Sequence, residues 1–106
     1  IVRMTFDPDA VDAFIEHFDE VSPRIRGFDG CHHLELWRDP RYPNICTTYS
    51  HWESTDALNA YRHSDLFADA WKTAKSLFAA RPVAQSYVAE RVVAPDGETG
   101  VGSRNQ

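Results

Sequence analysis

Tyr61, Phe67 and Trp71, with Trp52 shortly before them, are the side chains in this sequence whose types and spacing best suit chemistry. Large rings recurring at helical intervals aim at a common interior, where they build either an unusually aromatic core or a pocket for a flat molecule. In a pocket, the Tyr61 hydroxyl orients a substrate oxygen; in a plain core it reaches a backbone group instead. Phe67 and Trp71 serve equally as pocket walls or as packing. A second constellation is polar: His33, Tyr49 and His51, with Glu35 adjacent. Alternation along paired strands puts these on one sheet face, where they can relay a proton or meet a second subunit. A metal would require several converging ligands, which this spacing does not supply, so no metal site is expected. His32 points opposite to His33 in a regular strand and becomes the histidine available to a pocket on the other face. His17 and His63 stand among charged neighbours and read as solvated.

Other chemistries find no foothold. Neither cysteine has a basic neighbour that would activate it, and no Gly-x-Ser-x-Gly elbow occurs. Glycine-rich phosphate loops, Zn-type Cys/His spacing and a dinucleotide fingerprint are missing as well. Acyl transfer, phosphoryl transfer and nicotinamide chemistry are therefore not expected.

The elements that must position these residues follow from periodicity. Ile1 to Phe6 alternates as a strand. Asp7-Pro8 is a helix start, with Asp as N-cap, and Val11, Phe14, Ile15, Phe18 and Val21 form one apolar stripe. Pro23 is expected to kink or end that helix. Cys31–Arg38 and Asn44–Trp52 read as strands around the turn Asp39–Pro43. Centring the hairpin on Arg41 sets His33 opposite Tyr49, Glu35 opposite Thr47 and Trp37 opposite Ile45. The other face then carries His32, Leu34, Leu36, Cys46, Thr48, Ser50 and Trp52. Ser54 and Ser64 cap two helices; the second bears Phe67, Ala70, Trp71, Ala74 and Phe78. Pro82 ends the helical run, Val83 to Val93 reads as one long final strand, and a loose, glycine-bearing tail follows from Ala94.

Strand, helix, two strands, helix pair and strand make an α+β chain of ferredoxin-like βαββαβ order, with one four-stranded antiparallel sheet. Helices then cover one sheet face only, yet both faces carry large residues. A lone subunit leaves an apolar patch in water, so a homodimer closed sheet to sheet is expected.

The 106 residues form a single domain with room for one core. Eleven Lys and Arg against sixteen Asp and Glu give a net charge of −5. Without a basic stripe, neither nucleic acid nor an anionic membrane is an expected partner. No apolar run approaches the roughly 20 residues of a membrane span, and no leader-like stretch precedes the first strand. Cys31 and Cys46 fall about 16 Å apart in the proposed hairpin, beyond disulfide reach. Two buried thiols in a cytoplasmic protein is the resulting expectation.

The ordered set of Gly30-Cys31, Tyr49-x-x-Trp52-x-Ser54, Tyr61-x-x-Ser64-x-x-Phe67 and Pro82-Val83-Ala84 resembles the antibiotic biosynthesis monooxygenase family, of the dimeric α+β barrel superfamily. The resemblance covers residues 1–93 and leaves 94–106 as the tail. It implies a homodimer with a pocket in each subunit, and cofactor-free oxidation of a small phenolic or quinol aromatic by dioxygen. Tyr61, His51 and His32 are then the candidate catalytic residues, and Trp52, Phe67, Trp71, Tyr49 and His33 the candidate substrate contacts. Haem-degrading relatives carry a Trp and a haem-ligating His where this chain has Tyr61 and Trp71, and Trp cannot ligate iron. Quinol-oxidising relatives commonly place a His where Tyr61 stands. A non-catalytic aromatic-binding or stress-response module of the same fold is the alternative reading, and a haem-binding or haem-degrading protein, with His32 or His51 of the sheet in place of the missing ligand, is the third.

Overall fold

The structure, a computed structural model, describes residues 1–95 and 99–100. Its elements are β1 (Val2–Thr5), α1 (Val11–Arg26), β2 (Cys31–Arg38), β3 (Ile45–Trp52), α2 (Thr55–Arg62), α3 (Asp65–Lys75) and β4 (Val83–Ala84). The strands form one antiparallel sheet in the order β2-β3-β1-β4, which is the ferredoxin-like arrangement. The core lies between the sheet and the helices. Met4, Phe6, Val11, Phe14, Cys46 and Ala74 form one buried cluster, and Cys31, Trp52 and Leu58 form another. The opposite face carries His33, Glu35, Trp37, Tyr49 and His51, and Trp37 is 44 % exposed there.

Local signals place the helix pair as expected. The Ser54 hydroxyl accepts the Ala57 N–H at 3.1 Å, and that of Ser64 accepts the Phe67 N–H at 3.1 Å. Ser64 also donates to the Tyr61 carbonyl at 2.6 Å, so one side chain closes α2 and opens α3. α1 departs from expectation at both ends. Asp7 closes a turn by accepting the Ala10 N–H, and the helix begins at Val11 instead of directly after Asp7. Pro23 lies inside the helix, which runs on to Arg26. Val21 and Ile25 are buried on either side of it, and that packing outweighs the single hydrogen bond proline removes. Phe78, assigned to the α3 stripe, lies beyond the helix end and bridges to Phe6.

The hairpin centres on Tyr42, one residue later than the pattern suggested. His33 pairs with His51, Glu35 with Tyr49 and Trp37 with Thr47. The Asp39 carboxylate accepts the N–H groups of Arg41 and Tyr42, both at 2.8 Å, and this local turn sets the register. Moving the centre by one residue shifts partners by two, so face membership survives. The exception is a bulge between Cys31 and His33, which sets Cys31 against Trp52 on the helix side and leaves His32 exposed.

The long final strand is not formed. β4 is confined to Val83–Ala84, which pair with Arg3 and Val2 of β1, and Gln85 exchanges backbone hydrogen bonds with Ile1. Val88 is 63 % exposed and Val93 67 %. Val92–Val93 (β5) pairs separately with Thr99–Gly100 (β6); the rest of the expected tail, 96–98 and 101–106, lies outside the described residues. Cys31 and Cys46 are buried free thiols at opposite ends of the β2–β3 ladder.

Gly30 admits β2 beneath α2. Its φ is +86°, and a β-carbon there would lie 2.5 Å from that of Ala57. Gly30→Ala is expected to cost about 2–4 kcal/mol in denaturant unfolding, from the left-handed backbone plus overpacking. Adding Ala57→Gly should return part of that loss, a coupling that a double-mutant cycle reads. Strictly additive losses would contradict the proposed crowding.

Candidate functional site

Between the sheet and the helices lies a cavity of about 130 Å³. Its floor is Val2, Met4, Leu34, Thr48, Ser50 and Trp52 from the sheet. α1 contributes Phe14, His17, Phe18, Val21 and Ile25, α2 contributes Leu58, Tyr61 and Arg62, and α3 contributes Phe67, Ala70, Trp71 and Ala74. Gln85 and Ser86 lie on the stretch following β4.

The rings form a continuous chain. Tyr61 stacks on Trp52 at 4.9 Å and meets Phe67 edge-on at 5.2 Å, while Phe67 stacks on Trp71 at 5.7 Å. Trp52 is only 1 % exposed, and its indole N–H donates to the Ser50 hydroxyl at 3.0 Å. By contrast, the Tyr61 hydroxyl and the Trp71 indole N–H have no hydrogen-bond partner among the described residues. Two side chains on the wall of a mostly apolar cavity thus keep a donor unused, the arrangement a polar aromatic ligand needs.

Of the residues picked out from sequence, Trp52, Tyr61, Phe67 and Trp71 line this cavity together. His33, Tyr49 and His51 lie on the other sheet face, away from it. There His33 donates to the Glu35 carboxylate, Trp37 donates to Glu35 at 2.9 Å, and His51 is hydrogen-bonded to the Tyr49 hydroxyl. Trp37 stacks on Tyr49 at 4.7 Å. The hydrogen bonds from Trp37 and then His33 hold the Glu35 carboxyl below its usual range. His32 lines no part of the cavity, because the bulge turns it out to solvent. Among the described residues no three His, Cys, Asp or Glu side chains are placed to hold a metal ion.

His17 is the cavity residue that sequence reading missed. Glu16, Asp19 and Glu20 surround it in the sequence, and such neighbours read as a solvated face. The available signal was helical spacing: position 17 falls three after Phe14 and four before Val21, on the apolar stripe. Its ring is half-buried, with Nε2 3.0 Å from the Ala70 carbonyl of α3.

A family model described as antibiotic biosynthesis monooxygenase matches residues 1–73. The chain belongs to that family. Solved structures share its fold. A candidate antibiotic biosynthesis monooxygenase from Bordetella bronchiseptica is 24% identical, with a TM-score of 0.71 over 77% of this chain and 85% of that one. Another candidate antibiotic biosynthesis monooxygenase, from Caulobacter crescentus CB15, is 20% identical, with a TM-score of 0.73 over 77% and 78%. A conserved protein from Methanosarcina mazei Go1 is 16% identical, with a TM-score of 0.74 over 77% and 81%. No curated protein matches the chain.

Within the antibiotic biosynthesis monooxygenase family, haem-degrading members set the comparison for Trp71. The Trp71 indole N–H is a donor without a lone pair and offers no ligand to iron. Tyr61 meanwhile is a donor and not a base. Burial, followed by the nearby Cys31, pushes its pKa from 10.0 up to about 12.

That shift makes stability depend on pH at the alkaline end. Below pH 10 both folded and unfolded chains keep the Tyr61 proton, and its contribution is intact. Between 10 and about 12 the unfolded chain ionises while the fold resists, so stability falls across that window. Ultraviolet titration should show one of the four tyrosines ionising near pH 12. Tyr61→Phe should remove that late transition and flatten the alkaline loss of stability; an unchanged titration curve would contradict the assignment.

Proposed function

We propose that this protein is a monooxygenase that oxidises a one-ring phenol or hydroquinone with dioxygen, using no bound cofactor. The observation that carries the reading is the cavity itself. It is benzene-sized, walled by Trp52, Phe67 and Trp71, and provided with unused donors at Tyr61 and Trp71. Membership of the antibiotic biosynthesis monooxygenase family supports the reaction class.

The chemistry requires little beyond orientation and a dry site. A phenol that loses its proton becomes an electron-rich phenolate, and its ring carbon supplies the electron pair that bonds to dioxygen. The resulting ring hydroperoxide loses its C–H proton as the O–O bond breaks, leaving a quinone and one water. One oxygen atom enters the ring and the other is reduced to water, with the substrate supplying all the electrons. Tyr61, neutral at physiological pH, donates a hydrogen bond to the developing phenolate oxygen. Arg62 at the wall adds positive charge that favours the same anion. The aromatic walls hold the ring and keep bulk water away.

Two copies close sheet to sheet in this reading. The outward face of Trp37 and Tyr49, with the Glu35–His33 pair beside it, becomes the interface. The exposed side chains of Tyr87, Val88, Val92 and Val93 extend the apolar surface available to a partner. His51 and His33 then act at the interface, and His32 at its rim.

A binding module without turnover is the second reading, favoured by Tyr61 occupying the place of a titrating base. Oxygen uptake separates the two. Hydroquinone with chelator present should drive consumption above the enzyme-free rate, and a tricyclic phenol should not. Tyr61→Phe should lower kcat/KM on the order of 10²-fold, the usual loss of one oriented donor. Saturable quenching of tryptophan fluorescence without any oxygen uptake would replace the monooxygenase with the binding module. Sedimentation at micromolar concentration should give a dimer that Trp37→Glu converts to monomer; a stable wild-type monomer would remove the interface.

A further inference from the structure

The phenol chemistry needs a proton acceptor, and the residues at which the sequence pointed do not provide one inside the cavity. Tyr61 holds its proton, Arg62 offers only N–H donors, and Thr48 and Ser50 are hydroxyls. Among the side chains of the described residues lining the cavity, only that of His17 is of a type that exchanges a proton near neutrality.

Its geometry selects which nitrogen is available. Nε2 lies 3.0 Å from the Ala70 carbonyl, and a carbonyl oxygen can only accept. Nε2 therefore carries the hydrogen, and in the neutral ring Nδ1 is the bare nitrogen with a lone pair. No group among the described residues hydrogen-bonds Nδ1, and it is not sealed in the protein interior. A backbone carbonyl thus sets the tautomer and steers the ring, as the partner of a catalytic imidazole commonly does.

We propose that His17 is the residue that takes the substrate's phenolic proton. This rests on the phenol-oxidising reading above. In the step, the phenol O–H bond breaks, an Nδ1–H bond forms, and the electron pair stays on the phenolate oxygen. The ring becomes an imidazolium that still donates through Nε2 to Ala70. No oxidant takes part; dioxygen enters only after the anion exists. Tyr61 and Arg62, the other polar groups of α2 on this wall, stabilise that anion but do not create it.

The test is anaerobic binding of para-nitrophenol, whose phenol and phenolate absorb at different wavelengths, at a pH where the free probe is mostly protonated. Wild-type protein should bind it enriched in the phenolate form. His17→Gln, whose amide N–H can still reach the Ala70 carbonyl, should bind the probe with a roughly ten-fold smaller phenolate-to-phenol ratio, the equivalent of about one pKa unit. Hydroquinone turnover should fall on the order of 10²-fold in the same variant. His17→Asn, which frees Ala70 while keeping a polar group in place, should show the same loss of phenolate. A His17→Gln protein that keeps both the phenolate ratio and the turnover overturns the proposal and leaves the monooxygenase reading standing. Loss of the phenolate signal in a protein that consumes no oxygen upholds His17 as the acceptor and removes the monooxygenase. Failure of wild-type protein to bind the probe overturns both.

Discussion

Trp52 is the joint on which the site depends. It ends β3, sits two residues before the Ser54 cap, and is almost completely buried. Its ring supports Tyr61 by stacking, and Phe28 abuts both rings edge-on. An aromatic pair in this geometry contributes about 0.5–1.5 kcal/mol beyond the burial of its area. More important is the direction it imposes. Because the indole N–H is committed to Ser50, the Trp52 ring cannot rotate freely, and Tyr61 stacked on it is held in turn. α2 therefore docks in one orientation, and the Ser64 hinge carries that orientation into α3 and its ring pair Phe67–Trp71.

The cavity follows from the same constraint. Two capped helices joined at Ser64 stand off the sheet by the thickness of the Tyr61, Phe67 and Trp71 rings, while α1 approaches from the other side. His17 spans that gap to the Ala70 carbonyl, linking α1 to α3 across the cavity wall. What remains between them is small, largely apolar and supplied with a few directed polar groups. The two sheet faces divide the labour. The helix side encloses the cavity, and the outward side concentrates the paired polar and aromatic groups around Glu35 and Tyr49.

Much of this was legible in the residues because it is local. Ser54 and Ser64 cap helices by bonding the backbone three residues on, a distance that sequence encodes directly. The alternation of β2 and β3 sorted Tyr49 and His33 from Leu34 and Ser50 even though the hairpin centre was misplaced, since an even shift preserves faces. Other features depart from that reading. The Asp39 turn moved the register, and the bulge after Cys31 reversed His32, because one inserted residue breaks the alternation on which the reading rested. Pro23 continued a helix that composition alone would end, since Val21 and Ile25 had a core to reach. Of the strand expected from Val83 to Val93, β4 takes only Val83–Ala84.

From the sequence alone came the order of the elements, the caps of α2 and α3 and the aromatic residues that would share an interior, all set by periodicity and by bonds between near neighbours; the family resemblance rested on an ordered set of motifs. Only the tertiary structure decided which of those residues enclose a common space, and that His17 joins them while His32, His33 and His51 do not. The physical reason is that a side chain's surroundings depend on what the opposite element presents. The Ala70 carbonyl that orients His17 lies on a different helix, and no spacing along α1 announces it.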